Sequence, residues 1–271
     1  MIVRLSSQQA PANLCNNVKS GLAKSCKCKF ITNKRSKHDM VISYREELGS
    51  QKNLVLEAGY LNDYSNDGSA RGEKEGYHKA RRTFTSIGWD GLCGKSKWQI
   101  EDCDDDRVVK HGIKIKPWRE NEIKTAFVFL QLDTDRSLGK CTGRKYHEWA
   151  AKSVVDLEQQ GYEVYYKPHP RRDMRLGVGK RFEGTITQAL NKADLTVQYS
   201  STCAVDSIMR GIPAITFYDG SIAWDVTGHS IDEIVRPDRT QWLNNLMYMQ
   251  WKPAELASGE WWQYYKGYLE K

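Results

Sequence analysis

Short apolar runs alternate with helical patterns in the second half of the chain, and this alternation is its clearest structural signal. Apolar runs alternating with helices are typical of a parallel sheet that is covered on both faces. The pattern predicts strands at 125–130, 162–166, 193–199 and 214–217. It predicts helices at 146–160 and 203–210. An α/β fold with a βαβαβ unit ending at Phe217 is therefore expected.

The first half has a weaker pattern, and the whole sequence divides into three predicted parts. Strands are predicted at 40–44 and 53–57, followed by a long polar loop at 61–82. Residues 112–119 combine glycine, proline and cations and are predicted to link two domains. A helix is predicted from Pro237, ahead of clustered aromatic residues. The predicted parts are an abbreviated N-terminal domain (1–118), a C-terminal domain (119–236) and C-terminal crossing helices (237–271).

Composition indicates a globular protein with an anionic partner. Hydrophobic residues make up 39 % of the 271 positions, and no apolar run approaches the roughly 20 residues of a membrane span. A cytoplasmic protein without a membrane span is therefore expected. The formal net charge of +7 favours a nucleotide, a nucleic acid or an acidic glycan. Seven scattered cysteines match neither a disulfide framework nor zinc-ligand spacing, so no metal is expected.

The first 40 residues are polar and basic, and one helix is predicted near 10–23. They precede the first predicted strand and so belong to none of the elements predicted to bind a phosphate. We therefore expect their cations to contact a second substrate, which the resemblance given below makes the acceptor. These cations are Lys24, Lys27, Lys29, Lys34 and Arg35.

Chemically active residues of the second half stand where predicted strands end. One strand ends in a histidine held between two prolines and flanked by cations, and the next ends in three adjacent hydroxyl residues. Since the carboxyl ends of parallel strands share one edge, these groups are expected to bind a phosphate together. The predicted donor-binding residues are Gln131, Asp135, Lys167, His169, Arg171, Ser200, Ser201, Thr202, Asp206 and Ser221.

Two carboxylates of the first half are candidates for a general base. Glu57 and Asp90 each stand close to glycine at the predicted end of an element. Such a carboxylate can accept the proton of an acceptor hydroxyl, and a plain structural role is an equally open interpretation. Together with His169, these two residues form the predicted catalytic set.

Several short motifs carry a resemblance to a known group of enzymes. The His169–Pro170 pair and the Ser200–Thr202 cluster resemble the C-terminal half of GT-B glycosyltransferases, and most closely the HP-motif group of capsular-polysaccharide, polysialyl and glycerophosphotransferase-type enzymes. The runs 57–60 and 86–94, with the tail 237–251, resemble phage- and prophage-encoded GT-B-type glycosyltransferases. The resemblance implies two Rossmann-like domains, an interdomain cleft and C-terminal helices that cross back.

The function that this resemblance implies is transfer of a sugar from a nucleotide-sugar donor to an acceptor hydroxyl, without a further cofactor. His169 would contact the donor phosphates, and Ser200–Thr202 would close on the same group. The basic surplus and the phage-like motifs favour a modified base in double-stranded phage DNA, reached in the host cytoplasm. A cell-surface polysaccharide or lipopolysaccharide is the alternative acceptor. A non-catalytic nucleic-acid-binding protein on the same fold is a further alternative.

Overall fold

The computed structural model describes residues 1–6, 12–45, 52–61, 84–91, 93–96 and 101–270. Most of the loop predicted at 61–82 lies outside them. The strands are β1 (Ile2–Leu5), β2 (Lys29–Ile31), β3 (Met40–Tyr44), β4 (Asn53–Ala58), β5 (Thr85–Trp89), β6 (Thr125–Phe129), β7 (Glu163–Lys167), β8 (Lys180–Arg181), β9 (Leu195–Gln198), β10 (Ala214–Thr216) and β11 (Gln250–Trp251). The helices are α1 (Ala12–Ser25), α2 (Asp106–His111), α3 (Arg144–Gln159), α4 (Ile186–Lys192), α5 (Cys203–Met209), α6 (Thr240–Tyr248), α7 (Pro253–Ser258), α8 (Trp262–Tyr265) and α9 (Gly267–Glu270).

The described residues form two α/β units, each built around its own sheet. The first unit draws on residues 1–62, 82–110 and 243–271, and the second on residues 111–242. The two-unit α/β class expected from the sequence is confirmed. The C-terminal helices do return to the first unit, as predicted.

The second unit contains a five-stranded sheet in which all the strands run parallel. Their order is β8-β7-β6-β9-β10, so the first strand in sequence lies at the centre. All five residues of β6 are buried, as expected of a central strand covered on both faces. This order places a topological switch point between β6 and β9, where ligands of open α/β sheets bind. The predicted parallel sheet is confirmed, and β8 and α4 are additional to the predicted elements.

Helix α3 packs against the second sheet through a single apolar face. Its residues Tyr146, Ala150, Val154 and Leu157 share one face, and all four are fully buried against the sheet. Gly161 follows with φ of +88°, and its N–H donates to the Glu158 carbonyl at 3.0 Å. A left-handed residue just past a helix satisfies carbonyls of the last turn.

The first unit contains a mixed sheet in the order β2-β1-β3-β4-β5-β11. The first four strands of this order are parallel, whereas β5 runs antiparallel to both β4 and β11. The helix predicted near 10–23 is confirmed as α1, whereas the strands β1 and β2 were not predicted. These strands have only four and three residues, which is too short for a hydrophobic period to show.

Buried contacts attach the C-terminal helices to the first unit. Helix α7 packs on α1 so closely that a Cβ on Gly21 would lie 2.0 Å from the Leu256 carbonyl oxygen. Arg107 on α2 is only 2 % exposed, donates to Glu255 at 3.1 Å, and lies 3.7 Å from the centre of the Trp251 ring. A fully hydrogen-bonded buried guanidinium fixes the geometry of the groups around it.

Two connecting segments differ from their predicted form. The helix predicted from Pro237 begins instead at Thr240, because the Asp238 carboxylate accepts hydrogen bonds from the Thr240 N–H at 2.9 Å and hydroxyl at 2.8 Å. The predicted linker at 112–119 has no helix or strand, but it is tied to the second unit. The N–H of Arg119 donates to the Gly211 carbonyl at 2.8 Å.

Candidate functional site

The candidate site lies at the carboxyl edge of the second sheet. Four loops meet the sheet there, after β6, β7, β9 and β10, and they carry most of the predicted donor-binding residues. A parallel sheet brings these ends together although they are distant in the sequence. These four loops therefore form the candidate site, and the loops after β6 and β9 flank the switch point.

Gln131 and Ser200 join the two strands that flank the switch point. The Gln131 side chain accepts from the Ser200 N–H at 3.0 Å and donates to the Ser200 hydroxyl at 3.2 Å. The Ser200 hydroxyl in turn donates to the Ser137 carbonyl at 2.7 Å, and both side chains are buried. These two predicted donor-binding residues form a closed hydrogen-bonded floor beneath the edge, which holds the loops after β6 and β9 together.

His169 stands in the loop after β7 as a neutral imidazole. Burial and then the nearby Arg171 charge lower the pKa of His169 to about 4, while Asp135 acts in the opposite direction. The ring Nδ1 accepts from the Arg171 N–H at 3.2 Å, which leaves the ring proton on Nε2. A neutral histidine in this tautomer presents an N–H donor at neutral pH.

Cations surround this histidine in different ways. The Lys167 ammonium donates to the Gly184 carbonyl at 2.5 Å, which fixes it against the chain. Arg172, which was not among the predicted residues, forms an ion pair with Asp133 at 3.0 Å and keeps 56 % of its side chain exposed. Arg171 is exposed. The loop after β7 therefore carries two exposed arginines beside His169, and one of them is paired with Asp133.

The hydroxyl cluster after β9 divides into a buried and an accessible part. The Ser201 hydroxyl accepts from the Cys203 N–H at 3.3 Å at the start of α5. Ser201 and Thr202 are both partly exposed, whereas Ser200 is 3 % exposed. An oxygen that accepts from the backbone can still donate its own O–H, so Ser201 remains a possible ligand donor.

The remaining predicted residues have local structural contacts. Asp135 accepts from the N–H and hydroxyl of Ser137 at 3.0 and 2.9 Å and so begins a short helix at Arg136–Leu138. The Ser221 hydroxyl accepts from the Ala223 N–H at 3.3 Å. Asp206 is 2 % exposed within α5, so it is not a surface acid.

An aromatic cluster flanks the same edge, and the sequence interpretation missed it. Tyr199 stacks on Tyr218 with ring centres 5.6 Å apart, and Trp149 contacts Tyr199 edge-on at 5.1 Å. Gly139, with φ of +58°, allows the loop after β6 to reach this cluster, since a Cβ there would lie 2.5 Å from the Tyr218 hydroxyl. Each aromatic follows a strand or lies on a helix, so only the sheet order brings them together.

Glu57 and Asp90 occupy opposite ends of β4 in the first unit. Glu57 lies near the carboxyl end of β4, and Tyr60 donates to its carboxylate at 2.7 Å. Asp90 follows the antiparallel β5 and therefore returns to the beginning of β4. There its carboxylate accepts from the Asn53 N–H at 2.7 Å and from the Tyr268 hydroxyl at 2.6 Å. These bonds hold Asp90 in a joint between β4, β5 and α9.

The described residues contain neither a cluster of metal ligands nor a helix that could span a membrane. No group of three or more potential metal-ligating side chains occurs among the residues that the structure describes. In the same part of the chain, no helix is both long enough and apolar enough to cross a membrane.

Solved structures of similar fold include two Kdo transferase structures. The β-Kdo 2,7-transferase of Thermosulfurimonas dismutans KpsC matches with a TM-score of 0.57 and 12 % identity over 91 % of this chain and 90 % of that one. The β-Kdo 2,4-transferase of the same protein matches with a TM-score of 0.54 and 15 % identity over 92 % and 90 % of the two chains. No protein-family model and no curated protein matches the sequence. These likenesses establish the GT-B-like fold class.

Proposed function

We propose that the protein is a glycosyltransferase that moves a sugar from a nucleotide-linked donor to an acceptor hydroxyl. The observation that carries the proposal is the neutral His169, held beside Arg171 and Arg172 at the carboxyl edge of a parallel sheet. The similar fold of two Kdo transferases over nine-tenths of the chain supports it. The phage origin and the DNA acceptor that the motifs suggested remain predictions.

The proposed chemistry uses the carboxyl edge to stabilise the leaving nucleotide. As the bond between the sugar and the phosphate oxygen breaks, that oxygen takes the bonding electrons and gains charge. The Nε2–H of His169 donates a hydrogen bond to it, and the two guanidinium groups neutralise the phosphate. Preorganised donors of this kind lower the barrier because they need not reorient during the reaction.

A base must accept the proton of the acceptor hydroxyl, and we assign this role to Glu57. It is 19 % exposed at the carboxyl end of β4, whereas Asp90 is engaged at the opposite end of that strand. The Tyr60 hydroxyl orients one oxygen of Glu57, and the other lies 4.0 Å from Arg45. A fixed carboxylate accepts a proton in one direction, which suits attack by a positioned hydroxyl.

A saccharide acceptor is the better-supported choice over DNA. The two similar structures are named as sugar transferases, and no described feature at the carboxyl edge is specific to DNA. We therefore propose a polysaccharide or lipopolysaccharide acceptor, which was the alternative in the sequence interpretation.

The donor site is tested by thermal shift with a panel of UDP-, GDP- and CMP-linked sugars. A ligand that binds only the folded protein stabilises it by about 2.7 kcal/mol at 100 times its Kd. We expect one class of nucleotide sugar to raise the Tm and the His169→Ala variant to lose that shift. A panel without any shift at millimolar concentration contradicts the proposal.

A further inference from the structure

The first 38 residues hold the whole basic surplus of the chain. Eight of its 41 Lys and Arg residues lie there, and none of its 34 Asp and Glu residues does. The rest of the chain is close to neutral, with 33 basic against 34 acidic residues. The net positive charge of the chain is therefore located in the segment from β1 to β3. This segment belongs to a different sheet from the one that carries His169.

The fold places five of these cations on the outermost strand of the first sheet and on the segments before and after it. Strand β2 is the outermost strand, and it is reached from α1 and left by a loop that leads to β3. All five cations are exposed. We call them the basic strip: Lys27, Lys29, Lys34, Arg35 and Lys37.

Among the described residues, no ion pair neutralises the strip. In the part of the chain that the structure describes, no carboxylate forms an ion pair with any of its five side chains. The nearest acid in sequence, Asp39, accepts from the Ile2 N–H at 2.6 Å. Lys24, by contrast, donates to the Ala257 carbonyl at 2.8 Å, and Lys19 lies 5.6 Å from the Phe30 ring, so these two have roles within the fold.

We propose that the basic strip docks the protein onto an anionic lipid surface. Four of its five cations are lysines, which are strongly hydrated point charges suited to a diffuse negative surface, whereas forked recognition of individual phosphates favours arginine. Phe30 is the only aromatic residue among the first 38 positions, and it is half-buried, so the strip has no platform for stacking bases. Ile2, an exposed apolar side chain, pairs with Lys29 on the neighbouring strand and suits a lipid interface.

The test measures binding to vesicles by flotation. Wild-type protein is mixed with phosphatidylcholine vesicles that contain either no anionic lipid or about 30 mol % phosphatidylglycerol. We expect binding only to the anionic vesicles, and loss of that binding at about 0.5 M salt, because salt screens charges at a surface. Each lysine near such a surface contributes roughly a five-fold gain in partitioning, so Lys27→Gln/Lys34→Gln/Lys37→Gln should bind roughly 100-fold more weakly.

A charge-matched variant separates the strip from net charge. Lys114, Lys145 and Lys266 are exposed and lie elsewhere, so their triple change to glutamine removes the same charge. We expect this control to bind anionic vesicles within about three-fold of wild type, because it leaves all five cations of the strip in place. Circular dichroism and thermal melts verify that both variants are folded.

Three outcomes overturn the proposal. If wild-type protein does not bind anionic vesicles at low salt, the role left for the lysines is to prevent the exposed strand edge from pairing with another chain. Equal losses in both triple variants make net charge, and not the strip, responsible. Tight binding of a 20-base-pair duplex that is lost in the strip variant, without vesicle binding by wild type, identifies a nucleic-acid surface instead.

Discussion

The two sheets of this protein use their strand ends in different ways. In the second sheet every strand is parallel, so residues from four separate loops gather at one edge. In the first sheet β5 runs antiparallel to β4, so Glu57 and Asp90 are carried to opposite ends of the same strand. An acidic residue beside a glycine therefore does not by itself predict a functional role. The direction of its strand decides whether it faces the carboxyl edge, where ligands bind, or serves as a structural joint.

Arginines show the same division. Arg107 in the first unit is buried and donates to the Met247 and Gln250 carbonyls as well as to Glu255. Arg171 in the second unit is exposed at the edge of the sheet. The first arrangement stabilises a fold, whereas the second keeps the arginine exposed at the edge of the sheet.

The largest expected effect is on the stability of the first unit. Arg107→Ala should lower the free energy of unfolding by about 3–5 kcal/mol, because it leaves buried polar groups without their donor. Arg171→Ala is the matched control and should change stability by less than about 0.5 kcal/mol. Urea unfolding of both variants checks this. Equal stabilities would remove the distinction between the two arginines.

Acid should weaken the same network. Burial raises the pKa of Glu255, but hydrogen bonds from Arg107 and Lys110 and from the Lys252 N–H outweigh it and lower the pKa to about 2. A carboxylate with a lowered folded pKa stabilises the protein above its ordinary pKa of 4.5, and that contribution is lost as the pH falls toward 2. Wild type should therefore lose more stability between pH 4.5 and 2 than Glu255→Gln does, as urea unfolding at each pH will show.

Catalysis should depend most on His169. His169→Ala should reduce turnover roughly 10²–10³-fold, the usual effect of removing one donor to a developing charge, with stability largely retained. His169→Gln keeps an N–H donor and should recover part of the loss. Since the pKa of His169 is about 4, its N–H donor persists from pH 5 to 8, and no activity step near pH 6.5 should arise from it. Wild-type turnover in a folded His169→Ala protein would refute the site.

Glu57 and Asp90 should separate into a base and a joint. Glu57→Gln should lower turnover about 100-fold or more without unfolding the protein, since a general base contributes roughly 10²–10⁴-fold. Asp90→Asn should cost about 1–3 kcal/mol of stability and leave the turnover of the folded protein near normal. Steady-state rates and thermal melts of the two variants check the assignment. The reverse pattern would make Asp90 the base.

The smallest expected effects come from the hydroxyl cluster. Ser201→Ala and Thr202→Ala should each weaken nucleotide binding by about 0.5–1.5 kcal/mol, the net worth of one hydrogen bond. Ser200→Ala should instead lower stability, because its hydroxyl and N–H join Gln131 and Ser137. Calorimetry of nucleotide binding distinguishes the two cases. Unchanged affinity in the Ser201/Thr202 double variant would exclude both residues from the site.

The sequence by itself determined the parts of this protein that depend on neighbouring residues. The buried runs of β3, β4, β6 and β9 and the apolar face of α3 are local patterns, and each predicted its element. The strands β1, β2 and β8 escaped prediction because each has only two to four residues and includes at least one cation. The start of α6 moved because one carboxylate, Asp238, supplied the cap.

Only the tertiary structure decided which residues meet. The pairing of Arg172 with Asp133, the Gln131–Ser200 floor and the aromatic cluster around Tyr199 each join side chains from different loops. No local pattern records such pairings, because strand order and direction are set by the burial of whole sheets. The packing of strands into sheets also separated Glu57 from Asp90 and placed five cations on and beside the outermost strand of the first sheet. The sequence of a segment determines its periodicity, but packing determines which strands become neighbours in a sheet.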